Sequence, residues 1–151
     1  MDEIDVKILM CLKENARMNA SMISEKISLS VSAVIERIRK MEHSGVIKGY
    51  TVILDNKLIG KDIAAFIYIC LEHPKFNNGF IEKMQKHPDI TECYYIAGDY
   101  DFLVKVVANS MEMLTSVLND IKMVSGVSLT RTSIVFLTHK NDISVIPQPQ
   151  K

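Results

Sequence analysis

The chain has 151 residues, with 18 Lys+Arg against 18 Asp+Glu, 48% hydrophobic and 24% charged residues. This is the composition of an ordinary folded protein, and it excludes the disordered, collagen-like and low-complexity classes. A net charge of zero argues against nucleic-acid binding by bulk electrostatics alone, so any such binding must be local.

Asp2 is placed to cap a first helix, in which Ile4, Ile8, Leu9 and Leu12 recur at helical spacing and Asp5 adds negative charge near the N-terminus. Asn19 caps a second, shorter helix carrying Met22, Ile23 and Ile27 on one side. The turn Ser28-Leu29-Ser30 follows, and Ser30 caps a third helix. Its apolar face is Val31, Val34, Ile38 and Met41, while Ser32, Glu36, Arg39 and Lys40 fall on the opposite arc. Gly45 ends it. Val46-Ile47 and the stretch Gly49 to Leu54 are rich in β-branched residues and read as extended, closing at Asp55-Asn56. Three helices followed by a strand predict a winged helix-turn-helix.

The second half changes period. Ile63 to Leu71 is apolar at nearly every position, as in a strand buried on both faces, and its nine residues are too few to cross a membrane. Phe76 to His87 carries Phe80, Ile81 and Met84 at helical spacing and stops before Pro88. Ile90 to Ala97 and Phe102 to Ala108 read as strands joined by the turn Gly98-Asp99-Tyr100-Asp101. Met111 to Met123 is helical, with a stripe of Met113, Leu114, Val117, Leu118 and Ile121, and Val127 to Leu137 is a last strand. The order β-α-β-β-α-β is ferredoxin-like, which makes the whole chain α+β. Ala64, Phe66, Tyr68 and Cys70 alternate with Ile63, Ala65, Ile67 and Ile69, so a second sheet face is apolar. Another copy of the sheet is the cheapest cover, in an isologous dimer. The expected organisation is a helix-turn-helix domain over 1–50, a linker over 51–60, a ferredoxin-like domain over 61–140 and a tail over 141–151, marked by Pro147-Gln148-Pro149.

Cys11, Cys70 and Cys93 are odd in number and embedded in apolar patterns, which reads as buried small hydrophobes. His43, His73, His87 and His139 show no metal-ligand spacing, and neither a metal nor a cofactor is expected. The acidic start Met-Asp-Glu-Ile-Asp is unlike an export signal, so the expectation is a cytoplasmic protein.

Charge divides evenly, with eight basic and seven acidic residues in 1–50 and ten and eleven in 51–151. The third helix nevertheless has a basic outer edge. As a recognition helix it would bring Ser32, Ala33 and Glu36 toward base edges and Arg37, Arg39 and Lys40 toward phosphates or guanine, with the cap Ser30 also a DNA-binding candidate. The plain alternative is a solvated helix face. The loop Gly98-Asp99-Tyr100-Asp101 offers two carboxylates and backbone amides, able to hold the ammonium and carboxylate of a free amino acid; turn chemistry explains it equally well. Thr130-Arg131-Thr132-Ser133 is a polar interruption in the last strand. No phosphate loop, nucleophile elbow or zinc-protease motif is present, so catalysis is the weakest reading.

The matching pieces are Asp2-Glu3-Ile4-Asp5 with Ile8-Leu9, the Leu29-Ser30 turn, Val34 through Arg37-Ile38, Met41-Glu42 and Gly45-Val46-Ile47 to Gly49-Tyr50, then Leu58-Ile59-Gly60, Gly98 through Lys105, Gly126-Val127 and Thr130-Arg131-Thr132. In this order and spacing the chain resembles the Lrp/AsnC, or feast/famine, family of transcriptional regulators, to about residue 140. The resemblance implies an N-terminal domain that binds double-stranded DNA and a C-terminal domain that binds an amino acid and assembles dimers into larger oligomers, often octamers. By position it implies Tyr95, Gly98, Asp99, Asp101, Met111, Ser133 and Ile134 as effector-binding residues, with Asp101 or Asp99 taking the ammonium. Two alternatives belong to other classes: a ligand-sensing oligomeric module without DNA binding, favoured by Glu36 and the neutral charge, and an enzyme similar in layout to the tetrapyrrole decarboxylases.

Overall fold

The computed structural model describes residues 1–149, so residues 150 and 151 of the expected tail lie outside the described residues. Its contacts divide the described residues into two units, Met1–Ile53 together with residues 140–149, and Leu54–His139.

In the first unit, α1 (Glu3–Glu14), α2 (Ala20–Ile27) and α3 (Val31–His43) are each started by the expected cap. Asp2 and Asp5 form a reciprocal capping box, in which the Asp5 N–H donates to Asp2 Oδ1 at 2.9 Å and the Asp2 N–H to Asp5 Oδ2 at 3.2 Å. Asn19 accepts from the Met22 N–H at 2.9 Å. The α2–α3 turn is tight because Ser28 takes a left-handed conformation (φ 55°), and the N–H groups of Ser28 and Leu29 both reach back to the Ser24 carbonyl. Ile8, Cys11, Met18, Ile23, Val34 and Met41 form the buried core of the three helices. Val31, expected on that apolar face, is exposed, one turn too early to reach it.

The strand expected over Gly49 to Leu54 does not form. A strand exists only through a ladder, and the first unit contains no other strand among its described residues to supply one. Val52 and Ile53 stand 78% and 72% exposed.

The second unit contains β1 (Ile63–Leu71), a 3-10 turn (Pro74–Phe76), α4 (Asn77–Lys86), β2 (Ile90–Tyr95), β3 (Phe102–Ala108), α5 (Met111–Lys122) and β4 (Val127–Ile134). The strands pair antiparallel in the order β2-β3-β1-β4. Ala65, Ile67 and Ile69 of β1 and Phe102, Val104 and Val106 of β3 pack with Phe80 and Met84 of α4 and with Leu114, Val117 and Ile121 of α5. Both helices therefore lie on one sheet face.

Register defines the other face. Phe66 stands between Lys105 and Ser133, and Tyr68 between Leu103 and Arg131. This face is mixed rather than wholly apolar, with Lys105 paired to Glu92 at 2.9 Å, and the Tyr94 hydroxyl donating to the same carboxylate at 2.9 Å. Cys70 lies on it half-buried, and Cys93 is half-buried too, so of the three cysteines expected in the interior only Cys11 is fully buried. Near the β1 start, the Lys61 ammonium reaches Asp89, the one buried charged residue described, at 2.7 Å.

Candidate functional site

Two groups of residues carry candidate chemistry, one in each unit. In the first, α3 presents Ser32, Glu36, Arg39 and Lys40 to solvent while Val34 and Met41 hold it to the core. Ala33 is half-buried. The Ser30 hydroxyl is engaged as the cap, accepting from the Ala33 N–H at 3.3 Å and lying 3.2 Å from the Ser32 hydroxyl.

Arg37 stands apart from the other candidates. Its Nη1 donates to Asp2 Oδ2 and to Asp5 Oδ1, both at 2.7 Å, so the guanidinium bridges the two carboxylates of the α1 capping box. The Asp5 N–H first, and the Arg37 guanidinium next, hold the Asp2 carboxyl below its ordinary value. Asp2 and Asp5 are legible in sequence as cap residues, but their grip on Arg37 spans 35 and 32 positions and left no local signal. Past the end of α3, the Tyr50 hydroxyl donates to Glu42 at 2.9 Å; burial, and then this carboxylate, push the phenol pKa up.

In the second unit the seven effector candidates fall into two sets. Tyr95, Gly98, Asp99 and Asp101 lie at the β2–β3 turn, beside the end of β1, since the Asp101 N–H donates to the Ile69 carbonyl at 3.0 Å. Ser133 and Ile134 pair with Phe66 and Ala65, toward the start of β1, and Met111 opens α5 just after the far end of β3. Ile69 lies four residue steps beyond Ala65 on β1, which puts about 13 Å between the two ends at 3.3 Å per residue. Ser133 and Ile134 also point to opposite faces, because neighbours on a strand alternate. One chain does not bring these seven residues around one ligand.

Within the turn set, roles differ. Asp101 Oδ2 accepts from the Leu71 N–H at 2.7 Å, so this carboxylate secures the end of β1. Asp99 is exposed, and its carbonyl lies 3.4 Å from the Cys70 thiol. Gly98 sits at φ 129°, a conformation that other L residues rarely adopt. The Tyr95 and Phe102 rings pack tilted against each other with centroids 5.1 Å apart, and both border a cleft of about 430 Å³ between α4 and β2, with Met84 and Cys93 in its wall. Burial pushes the Cys93 thiol pKa up. Nothing local in the sequence marks Met84 for this wall, whereas Phe102 is marked by its place opposite Tyr95 across the turn. Among the described residues no group of three His, Cys, Asp or Glu could hold a metal ion, and no helix is long and apolar enough to cross a membrane.

A capped helix-turn-helix followed by an antiparallel βαββαβ unit places the chain among two-domain helix-turn-helix proteins with a ferredoxin-like second domain. Residues 1–42 match the AsnC-type helix-turn-helix domain and residues 64–145 the Lrp/AsnC ligand binding domain. The chain belongs to the Lrp/AsnC family of transcriptional regulators. It is 38% identical over 140 residues to the HTH-type transcriptional regulator FL11 of Pyrococcus horikoshii, covering 93% of this chain and 92% of that one. It is 36% identical to the transcriptional regulator AzlB of Bacillus subtilis, covering 96% and 94%. Among solved structures it resembles a Neisseria meningitidis transcriptional regulator in complex with L-Met (TM-score 0.91, 26% identity, 96% of each chain) and Escherichia coli AsnC (TM-score 0.89, 28% identity, 97% and 99%).

Proposed function

We propose that this regulator reads DNA through residues 1–50 and senses a free amino acid through residues 61–140, with 51–60 connecting the two and 141–151 forming the tail. The observation that carries the DNA half is α3 itself: a capped helix behind a tight turn whose outer arc, Ser32, Glu36, Arg39 and Lys40, is solvent-exposed. Arg39 and Lys40 then meet phosphates or guanine, and Ser32 and Glu36 face base edges, with Glu36 useful where a cytosine amino group can donate to it. Arg37 supports the helix by holding it to the start of α1 rather than by touching DNA. Two such heads in a dimer read half-sites about 34 Å apart.

In the sensing half, Asp99 takes the ammonium, because Asp101 is engaged with Leu71. Amides of the Gly98 turn take the carboxylate. Met111, Ser133 and Ile134 surround the side chain from a second copy, since one chain holds them at the other end of the sheet. The amino acid thereby binds one assembly better than another and shifts the oligomer, and with it the spacing of the DNA-reading heads. The Neisseria relative's complex with L-Met supports this ligand class. The reading includes a homodimer that builds to an octamer, a cytoplasmic location, no cofactor beyond the effector and no enzymatic activity.

Size-exclusion chromatography with light scattering, run with and without pooled amino acids, tests it. A ligand-dependent change of mass is expected, lost in Asp99→Ala. Unchanged mass together with unchanged DNA affinity at saturation with each of the twenty would overturn the sensing half.

A further inference from the structure

The segment after the last strand returns to the helical unit. Residues 140–149 group with Met1–Ile53, and the Asp142 carboxylate lies 3.8 Å from the Lys13 ammonium on α1 and 3.6 Å from that of Lys140. Within this segment exposure is uneven: Val145 is 90% exposed, whereas the neighbouring Ile146 and Pro147 are half-buried. Ile146 borders a cleft of about 610 Å³ whose other walls come from α1 and α2, with Met10, Cys11 and Ile27 supplying apolar surface and Lys13 and Lys26 a basic edge. Lys26 is held there by Glu14 at 2.9 Å. No residue of α3 lines the cleft.

We infer that the tail is a strap of the same chain: Ile146 docks in the α1–α2 cleft, guided by the Asp142–Lys13 pair, and Pro147 limits the conformational freedom lost on docking. The chain thereby leaves the helix-turn-helix unit at Ile53 and rejoins it at Lys140. Because α3 contributes nothing to the cleft, the strap leaves the exposed arc of the recognition helix free. It is a tether, and not a plug over the DNA-reading surface.

Cys11 borders the cleft and reports on it. In the full chain with Cys70→Ser and Cys93→Ala, Cys11 is the sole thiol, and its rate of modification by a small thiol reagent measures how often the cleft opens. Ile146→Asp, and a chain ending at His139, are expected to label Cys11 about tenfold faster, the shift produced by withdrawing a half-buried isoleucine from an apolar cleft. Val145→Asp places the same charge one residue away on an exposed side chain and is expected to label at the parent rate. Hydrogen exchange of α1 and α2 amides should rise in the same two variants while that of β1 and β3 stays constant. Parent-like labelling in Ile146→Asp and in the shortened chain, or equal acceleration in Val145→Asp, would overturn the strap. Protection that disappears on dilution would overturn its same-chain character, since the tail would then come from another copy.

Discussion

Arg37 and Arg39 lie two positions apart on α3, yet the structure gives them different work. Arg39 is exposed, whereas Arg37 bridges Asp2 and Asp5 at 2.7 Å each. On the proposed reading Arg39 neutralises one phosphate per head, so its replacement with alanine makes the slope of log affinity against log salt shallower by about 0.9, or about 1.8 for the two heads of a dimer. Between 50 and 200 mM salt the parent should therefore lose about twelvefold more affinity than Arg39→Ala, measured by fluorescence anisotropy on a labelled duplex. Arg37→Ala should leave that slope unchanged and instead lower the melting midpoint of the helical unit, because it removes the tie between α3 and the start of α1. Far-UV circular dichroism reads the second effect. If Arg37→Ala made the slope as shallow as Arg39→Ala does while melting stayed at the parent value, Arg37 would be a DNA contact and the division of roles would fail.

Two further outcomes follow from the second unit. Gly126 sits at φ 88° with an added Cβ only 2.2 Å from the Phe76 ring, so Gly126→Ala combines a left-handed backbone cost with displacement of an aromatic side chain. Urea titration should show a loss of about 2–4 kcal/mol, and a loss below about 1 would refute the clash. Glu92 is pushed up by burial but pulled further down by Lys105 and Tyr94, so its folded pKa lies below the unfolded one. Its contribution to stability is accordingly complete above the unfolded value, about 4.3, and fades as pH falls through the folded value. Lys105→Met should flatten the acid limb of a stability–pH curve over that window; an acid limb as steep as the parent's would show that the pair contributes nothing there.

The parts of the fold legible in the sequence are those decided within one turn or one strand. Asp2, Asn19 and Ser30 announce three helix starts because capping needs only a side-chain oxygen three residues before an N–H. The unbroken apolar run of Ile63 to Leu71 marks a central strand, and it lies between β3 and β4. Gly49 to Leu54 shows the limit of such reasoning. Its β-branched residues favour a strand, but pairing is a property of two segments, and its own unit supplies no second one. Long-range partners were equally hidden: nothing local to Arg37 predicts carboxylates more than thirty positions away. For the effector candidates, adjacency in sequence concealed what register decides. Ser133 and Ile134 are neighbours in the chain, yet they face opposite sides of the sheet, and both lie at the end away from Asp99.

On the proposed sensing reading, the separation of about 13 Å along β1 couples ligand binding to assembly. If one amino acid must touch groups from both ends, its binding and the meeting of two copies become a single equilibrium. Ligand affinity then has no fixed midpoint: the apparent Kd falls as protein concentration rises, and dilution alone releases the ligand. The regulator's own abundance in the cell would set the amino-acid concentration at which it responds.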